Sequence, residues 1–400
     1  AESYFLPEGR VRIEYDIDFA SKYLGRKDWF ALSLIFPVQL DPFEAEMPGF
    51  LVDLIPQGNG LRRIMARHGI KSENDYQSML ANVPLASPGN LRVLEPWEEI
   101  ESQRTAYNHP GFSREEVITA NLNFLEYMEA HGAPIGGTSG AAGGAPKFLL
   151  REDFHGQLHA DGLLDDRQTK TAWLVKFPFT DSANSKLLSE TEKKYYDVLR
   201  DLPLETGPSI EIDRGILFIR RFDRIRMADH RLHYFGLESF YSAHGISVHG
   251  AMLSHEDNLL LIKRHSTQAE NDILEYIKRD LVFRALANTD NHGRNTSFIK
   301  QDRTVKLSPI YDVTAMRFFE GDFVVPLTRW TQDNQTLRNR VEWVERNTQV
   351  SGAKIRAELV TLRLALENIE ALLHKHSVSR VIIDRSSDDR LAVQSELKSI

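Results

Sequence analysis

The sequence has 400 residues, 42% hydrophobic and 26% charged, with a formal net charge of −8 and no cysteine. The missing thiols exclude disulfides, thiolate zinc sites and a cysteine nucleophile, and they suit a reducing cytosol. The acidic balance argues against a nucleic-acid or membrane-surface binder on bulk charge. No apolar run approaches the roughly 18 residues of a membrane span. No basic and then apolar leader opens the chain, which begins at Ala1. The expectation is a cytoplasmic protein of two or three folding units.

In chain order, "VRIEYDIDF" alternates like a strand and "DWFALSLIFPV" reads as a richer apolar strand. A Pro/Gly-broken segment then feeds a basic helix that ends before Gly69. "NDYQSMLANV" fits a short helix and "GNLRVLEP" a closing strand. An acidic polar linker follows, then the amphipathic helix "SREEVITANLNFLEYMEAHG". It opens on a capping box, Ser113 with Glu116 three residues on.

Next comes "IGGTSGAAGGAPKFLL", the most glycine-rich stretch of the chain. Gly136, Gly137, Gly140, Gly143 and Gly144 would let backbone N–H groups approach an anion. No G-K-[ST] follows, so it is not a Walker A loop, and a hinge between units fits it equally well. Strands are expected in "PKFLLRED", "GQLHADG" and "TAWLVKFPF". The last places Lys176 among apolar residues, where it reaches a ligand phosphate or snorkels to water from an edge. "LSETEKKYYDVLRDL" reads as a helix, and "RGILFIRRFDRI" as a buried strand with a charged tip.

From 237 to 289 the pattern is mainly helical, with Ile273, Ile277 and Leu281 at four-residue spacing. The turn "TDNHGRN" follows, then two short strands in "TSFIK" and "TVKLSPIYDV". A long amphipathic helix spans "GAKIRAELVTLRLALENIEALLHKH", and the last 20 or so residues read as a polar, mobile tail. Asp290 offers a carboxylate for a hydroxyl proton. Asn295 and Asp312 offer hard oxygen donors suited to magnesium. Taken alone, the turn is equally well a capped helix end, since Asp and Asn favour turns. The pairs His155/His159 and His244/His249 lack an acidic cluster or H-E-x-x-H and read as structural.

The order of these parts is that of a two-lobed kinase: glycine loop, strand lysine, acidic helix, connecting strand, helical lobe, then acid, asparagine and a strand-borne acid. Over most of its length the chain resembles the HipA family of bacterial serine/threonine kinases, the toxins of HipBA-type toxin–antitoxin pairs. "VDLIPQGNGLRRIMARHGI" and "DYQSMLANVPLASPGNLRVLEP" resemble its N-terminal segment, and "TSGAAGGAPKFLL" its phosphate loop. "LVKFP" resembles its lysine strand, "RRFDR" its hinge and following signature, "TDNHGRN" its D-x-H-x-K-N catalytic loop, and "LSPIYDV" the segment of its metal aspartate.

The resemblance implies an α+β, two-lobed protein-kinase-like fold. A β-rich N-terminal lobe would carry the glycine loop and a mostly helical C-terminal lobe the catalytic loop. It divides the chain into 1–100, a HipA-type segment, 101–225, a nucleotide-binding core, and 226–400, a helical lobe. It implies ATP and Mg2+ as cofactors, Asp290 as catalytic base, Asn295 and Asp312 as metal ligands, and Lys176 on the α/β-phosphates. Ala142, Gly143, Gly144, Ala145, Pro146 and Lys147 would cover the nucleotide, and Arg220 to Phe222 would meet adenine. His292 would line the pocket and support the catalytic loop, with Arg294 beside it. Implied partners are a protein with a serine or threonine hydroxyl, often a translation factor such as an aminoacyl-tRNA synthetase, and a helix-turn-helix antitoxin. DNA would be reached only through that partner, and no membrane is involved.

Three departures stand out. Arg294 replaces the family's lysine, which alters geometry and proton chemistry. Ala145 and Pro146 replace a polar pair before Lys147, and Ser139 lies one residue from the family's autophosphorylated serine, which leaves Ser139 or Thr138 as candidates. Either Glu190 or Glu192 is the carboxylate that pairs with Lys176. The alternatives are a small-molecule kinase on the same scaffold and a non-catalytic regulator that keeps the fold.

Overall fold

A computed structural model describes residues 1–6, 9–56, 59–82, 87–131, 146–178, 180, 182–248 and 250–318, and finally 326–400. The chain divides into two compact units. One comprises Ala1–Phe179, Glu211–Ser247 and Ile299–Thr304, the other Thr180–Ile210, Val248–Phe298 and Val305–Ile400.

The first unit is centred on a five-stranded sheet. Its strands lie in the order Leu158–Ala160, Lys147–Glu152, Thr171–Lys176, Ile216–Arg220, Ile210–Asp213. The period-2 alternation of strands sorts the side chains. Phe148, Leu150, Trp173, Val175, Ile216 and Phe218 enter one core with Phe112, Phe124 and Met128. The opposite face takes the residues between them. There the antiparallel register sets Lys147 directly across from Lys176, Leu149 from Leu174 and Arg151 from Ala172. A second core, around Ile13, Phe50, Leu51 and Met79, belongs to the N-terminal segment.

That second face ends in a buried charge network. Arg151 Nε donates to Asp161 Oδ1 at 2.6 Å and Arg221 Nη1 to Asp161 Oδ2 at 2.8 Å, and Arg224 adds a third guanidinium to Asp161. Arg221 Nε also reaches Asp223 Oδ1 at 2.9 Å, while Asp223 accepts from the backbone N–H of Gly89 at 2.7 Å. Three letters of "RRFDR" are therefore spent on joining the sheet to residues near Gly89. A second buried pair, Lys300 Nζ to Glu238 Oε2 at 3.0 Å, lies on a separate sheet, in the strands Ser297–Gln301 and Gly236–Ser239, and holds residues 31–34. Glu238 accepts from Ser33 Oγ and Leu34 N–H, and Lys300 donates to the carbonyls of Ala31 and Leu32.

Those bonds explain why "DWFALSLIFPV" is not the expected strand: Tyr15 Oη and Glu238 take the N–H groups of Leu32 and Leu34. "GNLRVLEP" is also not a strand, because Leu94–Ala106 forms a helix that occupies much of the expected linker. The capping box at Ser113 and Glu116 is present. The helix it opens is short, Arg114–Ile118, and a second, Leu122–His131, starts after Ala120 adopts φ 45°.

The second unit is mainly helical. Helices Ala183–Arg200, His255–His265 and Ala269–Ala285 precede the polar turn, and Leu337–Thr348 and Gly352–Glu367 follow it. The expected mobile tail is instead two helices, Arg380–Arg385 and Ser387–Lys398. They bury Ile382, Ile383, Val393 and Leu397, and Arg284 grips Glu396 with two bonds, 2.8 and 2.9 Å. No helix among the described residues is long and apolar enough to cross a membrane.

Burial by itself would raise the Asp161 carboxyl, but Arg224, Arg151 and Arg221 outweigh it and hold it far below the usual carboxylate range. Its stabilising effect is therefore complete at neutral pH and lost only in strong acid, as pH falls through that depressed value. Asp161→Ala would remove the carboxylate that three buried guanidiniums share and should cost about 3–5 kcal/mol, read as a lower urea midpoint at pH 7.

Candidate functional site

The helix Ala269–Ala285 ends in a Schellman motif, in which Asn288 N–H bonds to the Phe283 carbonyl at 2.9 Å and Ala287 N–H to Arg284 at 3.0 Å. Ala287 takes the left-handed conformation, φ 52°, that glycine usually fills. The reversal brings Asp290 and His292 into the protein, 5% and 3% exposed.

Hydrogen bonds fix what each group in this turn presents. Asn295 Nδ2 donates to the Asp290 backbone oxygen at 2.8 Å. A carbonyl oxygen only accepts, so the amide nitrogen faces it and Oδ1 is turned away, available to a cation. The Arg294 N–H donates to His292 Nδ1 at 3.2 Å. That places the ring proton on Nε2, which lies 3.4 Å from Asp290 Oδ1. His292 thus steadies the Asp290 carboxylate.

Asp312 adopts φ 55°, a left-handed conformation uncommon outside glycine, though aspartate takes it more readily than most residues. Its neighbour Tyr311 is held by two bonds. Tyr311 Oη donates to the Arg294 carbonyl at 2.7 Å and accepts from Ser297 Oγ at 2.6 Å. Asp290, His292, Asn295 and the backbone before Asp312 are therefore one hydrogen-bonded assembly inside the helical unit.

The other expected residues belong to the sheet. Lys147 and Lys176 stand side by side on one face, and Pro146 extends the ladder by accepting from Phe177 N–H at 2.9 Å. Arg220 is exposed at its strand end and Phe222 half-buried. Glu190 is paired on the helix surface with Lys194 at 3.2 Å, whereas Glu192 is buried at 2% exposure. Thr138, Ser139, Ala142, Gly143, Gly144 and Ala145 lie outside the described residues, as do Gly136, Gly137, Gly140 and His249.

His159 has a packing role: its Nδ1 meets Tyr107 Oη at 2.9 Å, while His155 is exposed and His244 caps a helix against Phe240. Asparagine and aspartate oxygens, as at Asn295 and Asp312, suit a hard divalent cation, and the two lysines suit phosphate. These are two separate groups, the oxygens in the helical unit and the lysines in the sheet unit.

Sequence reasoning missed Asn291, Tyr311, Ser297 and Thr328. Tyr311 was legible only as the neighbour of Asp312, and the partner of Asn291 lies 37 residues away.

Comparisons with known proteins agree with this architecture. A model of the HipA-like C-terminal domain matches residues 139–375, and one of the HipA N-terminal domain matches residues 6–94. The chain belongs to the HipA family. It is 25% identical over 308 residues to "Putative kinase Y4mE" of Sinorhizobium fredii, covering 74% of this chain and 72% of that protein. It also shares its fold with HipA of Shewanella oneidensis MR-1, solved in complex with HipB and operator DNA. The TM-score is 0.66 at 14% identity, covering 100% of this chain and 94% of that one. A HipA-type, two-lobed α+β kinase-like fold is thus established.

Removing one hydroxyl tests the internal assembly. Tyr311→Phe deletes the bond to the Arg294 carbonyl and should cost about 1 kcal/mol. It should also speed amide hydrogen exchange in residues 290–296, measured by mass spectrometry.

Proposed function

We propose that the chain is an ATP- and magnesium-dependent serine/threonine protein kinase of HipA type. The observation that carries this reading is the assembly around Asp290. One carboxylate is oriented by the His292 Nε2 proton, an asparagine oxygen is turned outward by the bond to the Asp290 carbonyl, and Asp312 is held in a left-handed conformation. A merely capped helix end requires none of these three together.

In this reading Asp290 orients the substrate hydroxyl and accepts its proton as the oxygen attacks phosphorus. Asn295 and Asp312 would hold magnesium, which supplies charge neutralisation on the phosphates when bound. Lys176 and its cross-strand neighbour Lys147 would bind phosphate oxygens, with Glu190 or Glu192 as the carboxylate partner of Lys176. Arg220 to Phe222 would meet adenine, with Ala142 to Pro146 over the nucleotide. His292 orients the base, and Arg294 keeps the positive charge of the family's lysine.

Family membership supports a toxin that acts on a translation-related protein such as an aminoacyl-tRNA synthetase. The HipB and operator DNA bound to the Shewanella relative support a helix-turn-helix antitoxin as partner, with DNA reached through it. Autophosphorylation at Ser139 or Thr138 belongs to the same reading.

With γ-labelled ATP and Mg2+, the purified chain should label itself or a lysate protein. Asp290→Ala should reduce transfer by roughly a hundredfold or more, and Asp312→Ala should abolish the response to added Mg2+. A wild-type chain that binds ATP yet transfers no label would favour a non-catalytic regulator.

A further inference from the structure

Asn291 separates the two residues that matter most in the polar turn, and its side chain goes elsewhere. Its Nδ2 donates to the Thr328 carbonyl at 2.8 Å, and its Oδ1 accepts from the Thr328 N–H at 3.0 Å. Thr328 Oγ1 then donates to the Asn291 carbonyl at 2.6 Å. One carboxamide thus behaves as a short strand edge, and three bonds join the turn to a segment 37 positions downstream.

That segment is itself anchored on its far side. Leu253 and Ser254 pair in parallel with Thr328 and Arg329. Trp330 Nε1 donates to Asp280 Oδ2 at 3.0 Å and its ring stacks on His255 at 5.0 Å. Glu256 Oε1 receives Thr331 N–H at 3.0 Å and Asn334 Nδ2 at 2.7 Å. The support is rigid because it is tied to two helices, so whatever bonds to Thr328 inherits a fixed position.

We infer that Asn291 and Thr328 form a positioning clamp that holds the Asp290 carboxylate at its working distance from a substrate hydroxyl. Asn295 and His292 fix the orientation of Asp290 within the turn, but all three would move together if the turn shifted as a body. The clamp registers the turn against the helical frame, beside the Tyr311 bond to the Arg294 carbonyl. Misplacing a reacting group by about 1 Å costs on the order of a hundredfold in rate, so the clamp affects the chemical step more than nucleotide affinity. This inference rests on the kinase reading for its catalytic consequence, and on geometry alone for the positioning.

The test compares Asn291→Ala, Thr328→Val and Thr328→Ser in the full chain. Valine removes only the hydroxyl at nearly constant shape, and serine restores it. In γ-phosphate transfer, Asn291→Ala and Thr328→Val should lower kcat about tenfold or more and leave KM for ATP within about twofold, with cooperative unfolding kept and a modest fall in midpoint from the lost bonds to buried Thr328. Thr328→Ser should behave like wild type. Amide exchange should rise in residues 289–295 and, in Asn291→Ala, at Thr328, whose N–H loses its acceptor, with the rest of the chain unchanged. Unchanged kcat together with unchanged local exchange in both variants overturns the clamp. A loss shared by kcat, KM and global exchange also overturns it, because that is a folding defect. If wild type transfers no phosphate, the kinase reading falls, and local exchange still decides whether the clamp positions the turn.

Discussion

The hydrogen bond from Asn295 to the Asp290 carbonyl is the constraint around which the candidate site is arranged. It closes the turn on itself, decides which atom of the asparagine is left for a cation, and fixes the peptide that carries the acid. The bonds from His292 to Asp290 and from Tyr311 to Arg294 build on that closed turn. Each is modest alone, about 1 kcal/mol net. Their value on the proposed reading lies in pre-arrangement: a base and metal-binding oxygens so held would need no reorganisation when substrate arrives.

A second constraint governs the sheet unit. Buried charge is tolerated only when matched, and this unit buries Arg151, Arg221, Arg224 and Lys300. Asp161, Asp223 and Glu238 match them, and every one of these groups also bonds to backbone or to a neighbouring side chain of another segment. Removing a single partner is expensive while the whole set is nearly neutral. The networks therefore specify which segments meet, joining residues 87–89 to the sheet that carries Lys147 and Lys176, and residues 31–34 to the strands Gly236–Ser239 and Ser297–Gln301. Conformational specificity is a better description of their role than added stability.

Much of this was legible in the sequence where the determinants are local. Alternation gave the lysine strand, the S-x-x-E pattern gave the cap at Ser113, and the motif order gave the family. Non-local determinants were not legible. "DWFALSLIFPV" carries a strand's composition, yet a glutamate 204 residues away takes the Leu34 N–H. The C-terminal tail has few apolar residues, yet Arg284 and Arg340 recruit Glu396 from distant helices. Within the site, the acid, asparagine and histidine were readable from spacing. The register that pairs Lys147 with Lys176 was not, nor was the meeting of Asn291 with Thr328. "RRFDR" shows a third case, where Arg221, Asp223 and Arg224 serve architecture through partners that lie far away in the chain.

What separates a protein kinase from a small-molecule kinase or a silent scaffold is the chemical identity of the acceptor. Phosphopeptide mass spectrometry of a lysate incubated with Mg2+ and ATP, with wild type beside Asp290→Asn, reads that directly. The expected result is one or a few new phosphoserine or phosphothreonine sites that require wild type and vanish with Asp290→Asn. No wild-type-dependent protein site, or sites that persist in Asp290→Asn, would contradict the assignment.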